Sequence, residues 1–284
     1  MSIEIKNVTK NFGKVKALDG VTINFEEETI YGLLGRNGAG KSTLLNIISN
    51  RLFATDGEVF IDGETSVEND KAQSKVFLMT EVDAYPSAMK CRDILRWTKE
   101  FYPETDLEKG KELAEKFSLD LKKSIGSLST GYRTIIKFIA AIISNAKYTF
   151  LDEPVLGLDA NHRELLYKTI LEQYSENPRT IVISTHIIEE VSNLLEKIVI
   201  IDEGRVIENN SVESLLSRGY SVSGKAQDVD EFVKGKNVIG ADVLGAVKIA
   251  YILGDEKVDS LPDGLEISPI NLQKLFVELT GEEK

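Results

Sequence analysis

Apolar residues occupy every second position in two segments near the start of the chain, which is typical of half-buried strands. Ile3, Ile5 and Val8 form the first set, and the apolar positions of 21–25 form the second. The tripeptide Asn-Phe-Gly at 11–13 favours a turn between the two segments. The pattern therefore predicts a pair of antiparallel strands.

Beyond residue 28, short apolar runs alternate with helical patterns. The runs predict strands at 29–34, 58–62, 76–79, 148–151, 181–184, 198–202 and 205–211. Apolar residues at helical spacing predict helices at 43–49, in three segments between 88 and 146, at 161–174 and at 187–195. Strands that alternate with helices are typical of α/β proteins with a buried parallel sheet, and we expect that fold class.

The pattern restarts after about residue 218, where it indicates a small α+β appendage. Strands are predicted at 220–223, 246–252 and 265–267, and helices at 229–234 and 272–279. We therefore expect a main domain at 1–217, with a helical subdomain at about 86–146, and an accessory domain at 218–284.

The composition is ordinary for a globular protein: of 284 residues, 42% are apolar and 28% are charged. A net charge of −12 disfavours nucleic-acid binding, because such binding depends on neutralising phosphates. The apolar stretch at 134–143 is interrupted by Lys137 and is too short to cross a membrane, and the chain begins without an apolar leader. The single cysteine, Cys91, is expected to be a buried apolar residue. We expect a cytoplasmic protein whose membrane role, if any, arises through a partner.

The segment 35–43, Gly-Arg-Asn-Gly-Ala-Gly-Lys-Ser-Thr, fits the phosphate-loop pattern G-x-x-x-x-G-K-[ST]. Its glycines allow successive backbone N–H groups to point at phosphate oxygens, and the following helix adds the positive end of its dipole. Lys41 would reach the β- and γ-phosphates, and the hydroxyl of Ser42 would ligate Mg²⁺. The segment predicts an ATP–Mg²⁺ site, in which the other nucleotide-binding residues are Asn37, Gly38, Ala39, Gly40 and Thr43.

An apolar strand at 148–151 ends in two acids, Asp152 and Glu153. Ligands bind at the carboxyl edge of a parallel sheet, which is where this strand end would lie. We expect Asp152 to hold Mg²⁺ through water and Glu153 to act as general base toward the attacking water. The alternative is that the two acids are ordinary surface residues at a strand end. The presence of the phosphate loop in the same chain favours the metal-binding and general-base roles instead.

The hexamer at 128–133, Leu-Ser-Thr-Gly-Tyr-Arg, lies about twenty residues before Asp152. Ser129 is a good helix N-cap, and Gly131 leaves backbone N–H groups open. Taken alone, the hexamer is consistent with nothing more than a capped helix.

These motifs, in this order, resemble those of the ATP-binding subunits of ABC transporters, over residues 1 to about 215. Segment 35–43 resembles the Walker A motif, 128–133 the family signature, 151–154 Walker B and 157–159 the D-loop. Segment 184–186, Ser-Thr-His, resembles the switch histidine. The resemblance implies a P-loop NTPase fold with an antiparallel β subdomain, a helical subdomain and a C-terminal α+β appendage.

The resemblance also implies a set of nucleotide contacts. Phe12 would stack on adenine, although it could equally belong to the core. His186 would contact the γ-phosphate and the attacking water. Ser129 and Gly131 would meet the γ-phosphate of ATP held by a second subunit, homologous or identical, in a sandwich dimer.

Two positions depart from the family pattern. The signature has Thr130 and Tyr132 where Gly and Gln are usual. The Q-loop glutamine is absent near 79–83, and Glu81, followed by Thr80, is the best candidate to hold a Mg²⁺-bound water. His162 is expected to be a surface residue in the first turn of a helix, and Trp97 a packing residue in a region that corresponds to the contact surface for the membrane subunit.

The function implied is ATP hydrolysis that energises a separate membrane-spanning permease, with the chain held on the cytoplasmic face of the cell membrane. The ending at 265–276 is similar to exporter-type members, and other details resemble Gram-positive exporters of phenol-soluble-modulin peptides. The alternative is a non-transport ABC ATPase that acts on nucleic acid or the ribosome, which the acidity disfavours. A regulatory module without turnover is disfavoured by Glu153.

Overall fold

The computed structural model describes residues 1–82, 84–254 and 261–281. The alternating segments at the start of the chain pair in it as antiparallel strands. The strands are β1 (Ser2–Phe12), β2 (Val15–Glu26), β3 (Ile30–Leu34), β4 (Asp56–Ile61), β5 (Glu64–Thr65), β6 (Val76–Met79), β7 (Tyr148–Asp152), β8 (Thr180–Thr185), β9 (Lys197–Asp202), β10 (Arg205–Ser211), β11 (Gly219–Lys225), β12 (Val238–Leu244), β13 (Val247–Leu253) and β14 (Glu266–Pro269). The helices are α1 (Lys41–Ile48), α2 (Asp70–Gln73), α3 (Cys91–Phe101), α4 (Leu107–Lys116), α5 (Thr130–Ile143), α6 (Ala160–Glu176), α7 (Ile188–Val191), α8 (Val212–Arg218), α9 (Ala226–Phe232) and α10 (Leu272–Leu279), with a 3-10 turn at Ile125–Ser127.

The chain divides into two compact units. The first consists of Met1–His186 and Val199–Asn209, and the second of Ile187–Ile198 and Asn210–Lys284. Among the described residues, none of the helices combines the length and the apolarity needed to cross a bilayer.

The first unit contains an antiparallel sheet of order β2-β1-β4-β5 and a six-stranded sheet of order β10-β9-β3-β8-β7-β6. In the larger sheet, β3, β8, β7 and β6 run parallel, as the strand–helix alternation predicts. Leu34 is level with Thr185 and Asp152 with Ser184, so the carboxyl ends of β3, β7 and β8 meet at one edge.

Aromatic rings join the two sheets of the first unit. Phe25 of β2 packs edge-on against Tyr31 of β3, with ring centroids 5.0 Å apart, and against Phe150 of β7 at 5.9 Å. All three side chains are buried, and edge-to-face pairs of this kind add about 0.5–1.5 kcal/mol each beyond burial. This core fixes the platform on which α1 and the loop before it lie.

Helix α5 explains the apolar stretch at 134–143, whose residues are all buried. It is an internal helix of the first unit and packs against α3, α4 and β7. Lys137 is only 7% exposed, and its Nζ donates to the main-chain oxygen of Glu81 at 2.7 Å. Cys91 is fully buried, as predicted.

Several local features of the structure differ from the predictions. The turn at 11–13 is confined to residues 13–14, because Phe12 pairs with Val15 and Gly13 takes the positive φ that the turn needs. The helix predicted at 187–195 is only the single turn α7. Strand β12 was not predicted, because this edge strand is largely exposed and lacks a strong apolar alternation.

The second unit contains a four-stranded sheet of order β12-β13-β11-β14, in which all the pairs are antiparallel. Val222, Val229 and Ala250 lie at its buried centre, where α9 packs on β11 and β13. The α+β character predicted for the end of the chain is therefore confirmed.

Candidate nucleotide site

The loop between β3 and α1 depends on glycine at three points. Gly38 and Gly40 have φ of 84° and 110°, which only glycine adopts without strain. A Cβ on Gly40 would lie 2.6 Å from the main-chain oxygen of Ala17, and one on Gly35 would lie 2.5 Å from that of Ile201. The loop is therefore pressed against neighbouring backbone, and its shape is fixed.

Lys41 begins α1, and its side chain folds back into this loop. Its Nζ donates to the main-chain oxygen of Gly35 at 2.7 Å and to that of Arg36 at 3.3 Å, and the residue is 6% exposed. Burial lowers the pKa of the ammonium group, while the carboxylates of Glu153 and Asp152 act in the opposite direction. A buried cation held by neutral carbonyls is well suited to receive phosphate oxygens.

The outer side of the loop is open to solvent. Arg36, Asn37 and Gly38 are exposed, as is Ser42 in the first turn of α1, whereas Ala39 is buried. Backbone N–H groups at a helix start, an adjacent buried lysine and an accessible hydroxyl together suit a triphosphate with its metal.

Asp152 ends β7 with its side chain almost fully buried, at 5% exposure. Its Oδ1 accepts a hydrogen bond from the hydroxyl of Ser184 at 2.8 Å, across the register of β7 and β8. Ser184 also accepts, through its main-chain oxygen, from the N–H of Glu153 at 2.9 Å. Sequence reasoning did not single out Ser184, although its hydroxyl directly after the apolar run 181–183 was the available signal.

Glu153 and His186 meet at the end of the parallel sheet. Nδ1 of His186 lies 2.9 Å from Oε1 of Glu153. Glu153 adopts a left-handed φ of 46°, which costs a non-glycine residue about 1–2 kcal/mol. The Glu153 side chain is 17% exposed and that of His186 46%, so both can reach a water molecule.

The signature hexamer caps helix α5, as predicted. The Oγ of Ser129 accepts from the N–H of Tyr132 at 3.3 Å, and Ser129 is exposed. A Cβ on Gly131 would lie 2.5 Å from the main-chain oxygen of Gly157. Glycine at 131 is therefore required by close packing against the segment that resembles the D-loop.

Phe12 is 49% exposed at the end of β1, which excludes the core alternative. Its ring lies under Nζ of Lys10, at 5.1 Å from the centroid. Stacking on adenine stays a prediction.

Metal binding was predicted at Ser42, Asp152 and Glu81. Within 1–82, 84–254 and 261–281 there is no cluster of three or more His, Cys, Asp or Glu side chains able to hold a metal ion alone. A buried carboxylate and an accessible hydroxyl instead fit Mg²⁺ that receives its other oxygens from phosphate and water. The role of exposed Glu81 stays a prediction, and Asp83, at the end of the predicted Q-loop segment, lies outside the described residues.

A groove of about 270 Å³ lies between β6 and α3. Its rim carries three strongly exposed apolar side chains, Val82 at 74%, Trp97 at 51% and Phe101 at 70%, and Arg51 and Lys137 also line it. Trp97 is thus half-exposed, with its buried part packed in the lining of the groove.

Several known proteins are similar to this chain. The family model described as ABC transporter matches residues 18–156. The ABC transporter ATP-binding protein MJ1023 of Methanocaldococcus jannaschii is 31% identical, over 75% of this chain and 79% of that protein. The linearmycin resistance ATP-binding protein LnrL of Bacillus subtilis is 28% identical, over 99% of this chain and 89% of its own. The ribose import ATP-binding protein RbsA of Lacticaseibacillus paracasei is 26% identical, over 82% of this chain but 49% of its own.

Among solved structures, an ATP-binding subunit of an ABC transporter superposes with a TM-score of 0.68 at 23% identity. The match covers 75% of this chain and 91% of that one, and it shows the shared fold.

Proposed function

This chain belongs to the ABC transporter family as one of its ATP-binding ATPase subunits, and from this premise we propose that it drives export through a separate membrane-spanning permease. The observation that carries ATP hydrolysis is the pair of Glu153 and His186, 2.9 Å apart at the sheet edge that also bears Asp152. The export direction is supported by the similarity to the resistance protein LnrL. A general base and a second polar group at that edge are the residues that ATP hydrolysis requires.

The chain's own residues would bind and orient ATP before hydrolysis. Lys41, already buried and held by loop carbonyls, would exchange those contacts for the β- and γ-phosphates. Ser42 and Asp152 would hold Mg²⁺, which supplies positive charge at the phosphate oxygens. Glu153 would take a proton from the attacking water, and His186 would orient that water and the γ-phosphate.

The site is completed by a second subunit. Ser129 is exposed at the start of α5, and the N-terminus of this helix offers a positive dipole end for the γ-phosphate of a facing nucleotide. Two chains, identical or homologous, would close on two ATP molecules, and hydrolysis would reopen them.

The permease would dock on the groove between β6 and α3, and would thereby hold the chain on the cytoplasmic face of the cell membrane. Val82, Trp97 and Phe101 offer an apolar contact surface, and Arg51 adds a cationic group inside the groove. Exposed aromatic side chains of this kind are typical anchors of protein interfaces.

Amphipathic or antimicrobial peptides are the proposed substrates. The similarity over nearly the full chain to LnrL, a resistance protein, and the likeness of segment 265–276 to exporter-type members support export. The resemblance to Gram-positive exporters of phenol-soluble-modulin peptides supports peptides as the substrate class. Import, the role named for RbsA, is the second candidate, and the chain spans only about half of that protein's length.

The test is co-expression with the membrane protein encoded beside this chain, followed by reconstitution of the purified pair in vesicles. We expect amphipathic peptides to stimulate ATPase activity and to move in the direction that removes them from the ATPase side. The same vesicles with the Glu153→Gln variant are the control for leakage. Uptake toward the ATPase side, or stimulation by RNA and not by peptides, would contradict export.

A further inference from the structure

His162 lies between two segments of the first unit, the signature at 128–133 and the segment at 157–159 that resembles the D-loop. It lies in the first turn of α6 and follows Asp159, the acid of the segment that resembles the D-loop. Its side chain is 26% exposed, not free on the surface as the sequence suggested.

Both carboxylate oxygens of Asp159 are bound by this one residue. Oδ1 accepts from the main-chain N–H of His162 at 2.9 Å, and Oδ2 lies 2.9 Å from its ring Nδ1. These bonds lower the pKa of the Asp159 carboxyl, because they favour its charged form. The Asp159 side chain is nevertheless 65% exposed, so a facing molecule can reach the oriented carboxylate.

The imidazole of His162 is in turn held by two aromatic rings. Phe117 stacks on it, with centroids 6.3 Å apart and planes 14° apart. Tyr132, in the first turn of α5, meets it edge-on at 6.0 Å. Tyr132 lies where the family usually has glutamine. Its aromatic ring packs against the imidazole, a contact that an amide side chain would not make.

The two segments are also joined by backbone contacts. Thr134 of α5 donates its hydroxyl to the main-chain oxygen of Leu156 at 2.9 Å. Gly131 and Gly157 approach so closely that a Cβ on Gly131 has no room. The signature and the 156–159 segment therefore form one surface, and His162 is the side chain that fixes the acid on it.

We propose that His162 is a positioning residue for ATP hydrolysis, whose Nδ1 hydrogen bond holds the Asp159 carboxylate beside the signature so that the D-loop and the signature are presented together to the ATP of a facing subunit. The proposal rests on the two-subunit site described above. In this role His162 affects the rate of turnover and makes no contact with nucleotide bound in its own subunit.

Two variants separate the side-chain contact from helix capping. His162→Asn keeps an N–H donor close to the place of Nδ1, whereas His162→Phe keeps a ring and loses the donor. The main-chain N–H that caps α6 through Asp159 remains in both, so the two helices should start equally well.

ATPase rates over a range of ATP concentrations give the readout. For His162→Phe we expect kcat to fall about tenfold, as for the loss of one positioning hydrogen bond, with the KM for ATP changed less than about twofold. His162→Asn should retain kcat within about threefold. As a further control, Glu164→Gln, a change at an exposed position of α6, should leave kcat close to that of the unchanged protein.

Several outcomes would overturn the proposal. Wild-type kcat in His162→Phe would do so, as would equal losses in the Asn and Phe variants, or a fall in kcat that follows a fall in Tm. Failure of the two-subunit site is recognised separately, because Glu153→Gln would then stay monomeric with ATP in gel filtration. If that variant dimerises while His162→Phe turns over normally, only the role of His162 is wrong.

Discussion

Ser184 donates a 2.8 Å hydrogen bond to Oδ1 of Asp152, from a position where both side chains are withdrawn from solvent. The register of β7 and β8 places the two residues level with each other. The same serine accepts the N–H of Glu153. Ser184 thus orients both the carboxylate that we propose to hold Mg²⁺ and the backbone of Glu153, the proposed general base.

Ser184→Ala should therefore weaken the metal-dependent step. A buried carboxylate that loses its hydroxyl donor is less well oriented, at a cost of about 1–2 kcal/mol. We expect the Mg²⁺ concentration for half-maximal ATPase activity to rise about tenfold, as measured by titration with Mg²⁺ at fixed ATP. Ser74→Ala, a change in an exposed residue after α2, is the matched control. An unchanged Mg²⁺ dependence would separate Ser184 from the metal site.

Glu153→Gln should abolish hydrolysis and leave ATP binding intact. The amide cannot accept the proton of the attacking water, whereas the phosphate loop is unaffected. We expect turnover to fall by at least about 100-fold, with an ATP-dependent dimer in gel filtration. Glu108→Gln, a change on the exposed face of α4, should behave as the unchanged protein. Normal turnover in Glu153→Gln would remove Glu153 from the role of base.

Glu81→Gln restores the residue type that the family usually has in this segment. Lys137 binds the main-chain oxygen of residue 81, so this contact does not depend on the side chain that is changed. We expect basal ATPase activity to persist, within about threefold of the unchanged protein, because the base and the loop lysine remain. Complete loss of activity would show that the carboxylate itself is essential.

Asp62 predicts a pH dependence of stability. Burial alone would raise the pKa of its carboxyl, but hydrogen bonds from Lys75, Tyr148 and Lys147 lower it to about 2. A folded-state pKa below the unfolded value stabilises the fold fully above about pH 4, and this contribution of about 2 kcal/mol is lost as the pH falls toward 2.

A comparison of Asp62→Asn with the unchanged protein tests the direction of this pH dependence. Asparagine tolerates the left-handed backbone of residue 62, so the substitution removes charge with little backbone strain. In urea unfolding, the free-energy difference between the two proteins should be largest near pH 6 and should shrink near pH 3. Asp56→Asn, an exposed control on β4, should show a difference that is small at both pH values. A difference that grows as the pH falls would contradict the assignment.

Much of the nucleotide site was predictable because its chemistry is local. The glycines at 35, 38 and 40 and the lysine that follows them are fixed by loop geometry within a few residues, so spacing alone identified them. The acids at the end of β7 were found in the same way. The fold class followed from the alternation of strands and helices.

Contacts between residues of different elements could not be predicted from the spacing of residues along the chain. His162 was predicted to be a surface residue at a helix start, and only its ring contacts in the folded chain revealed its place between Phe117 and Tyr132. Strand β12 was not predicted, because an exposed edge strand needs no strong apolar alternation.

The sequence by itself determined the phosphate loop, the two acids and the order of the sheet-forming segments, because each depends on neighbours along the chain. Only the tertiary structure decided that Ser184 meets Asp152, that His186 meets Glu153 and that His162 holds Asp159 beside Tyr132. Strand register and helix packing bring together residues far apart in sequence, and the distances among them follow from the fold as a whole.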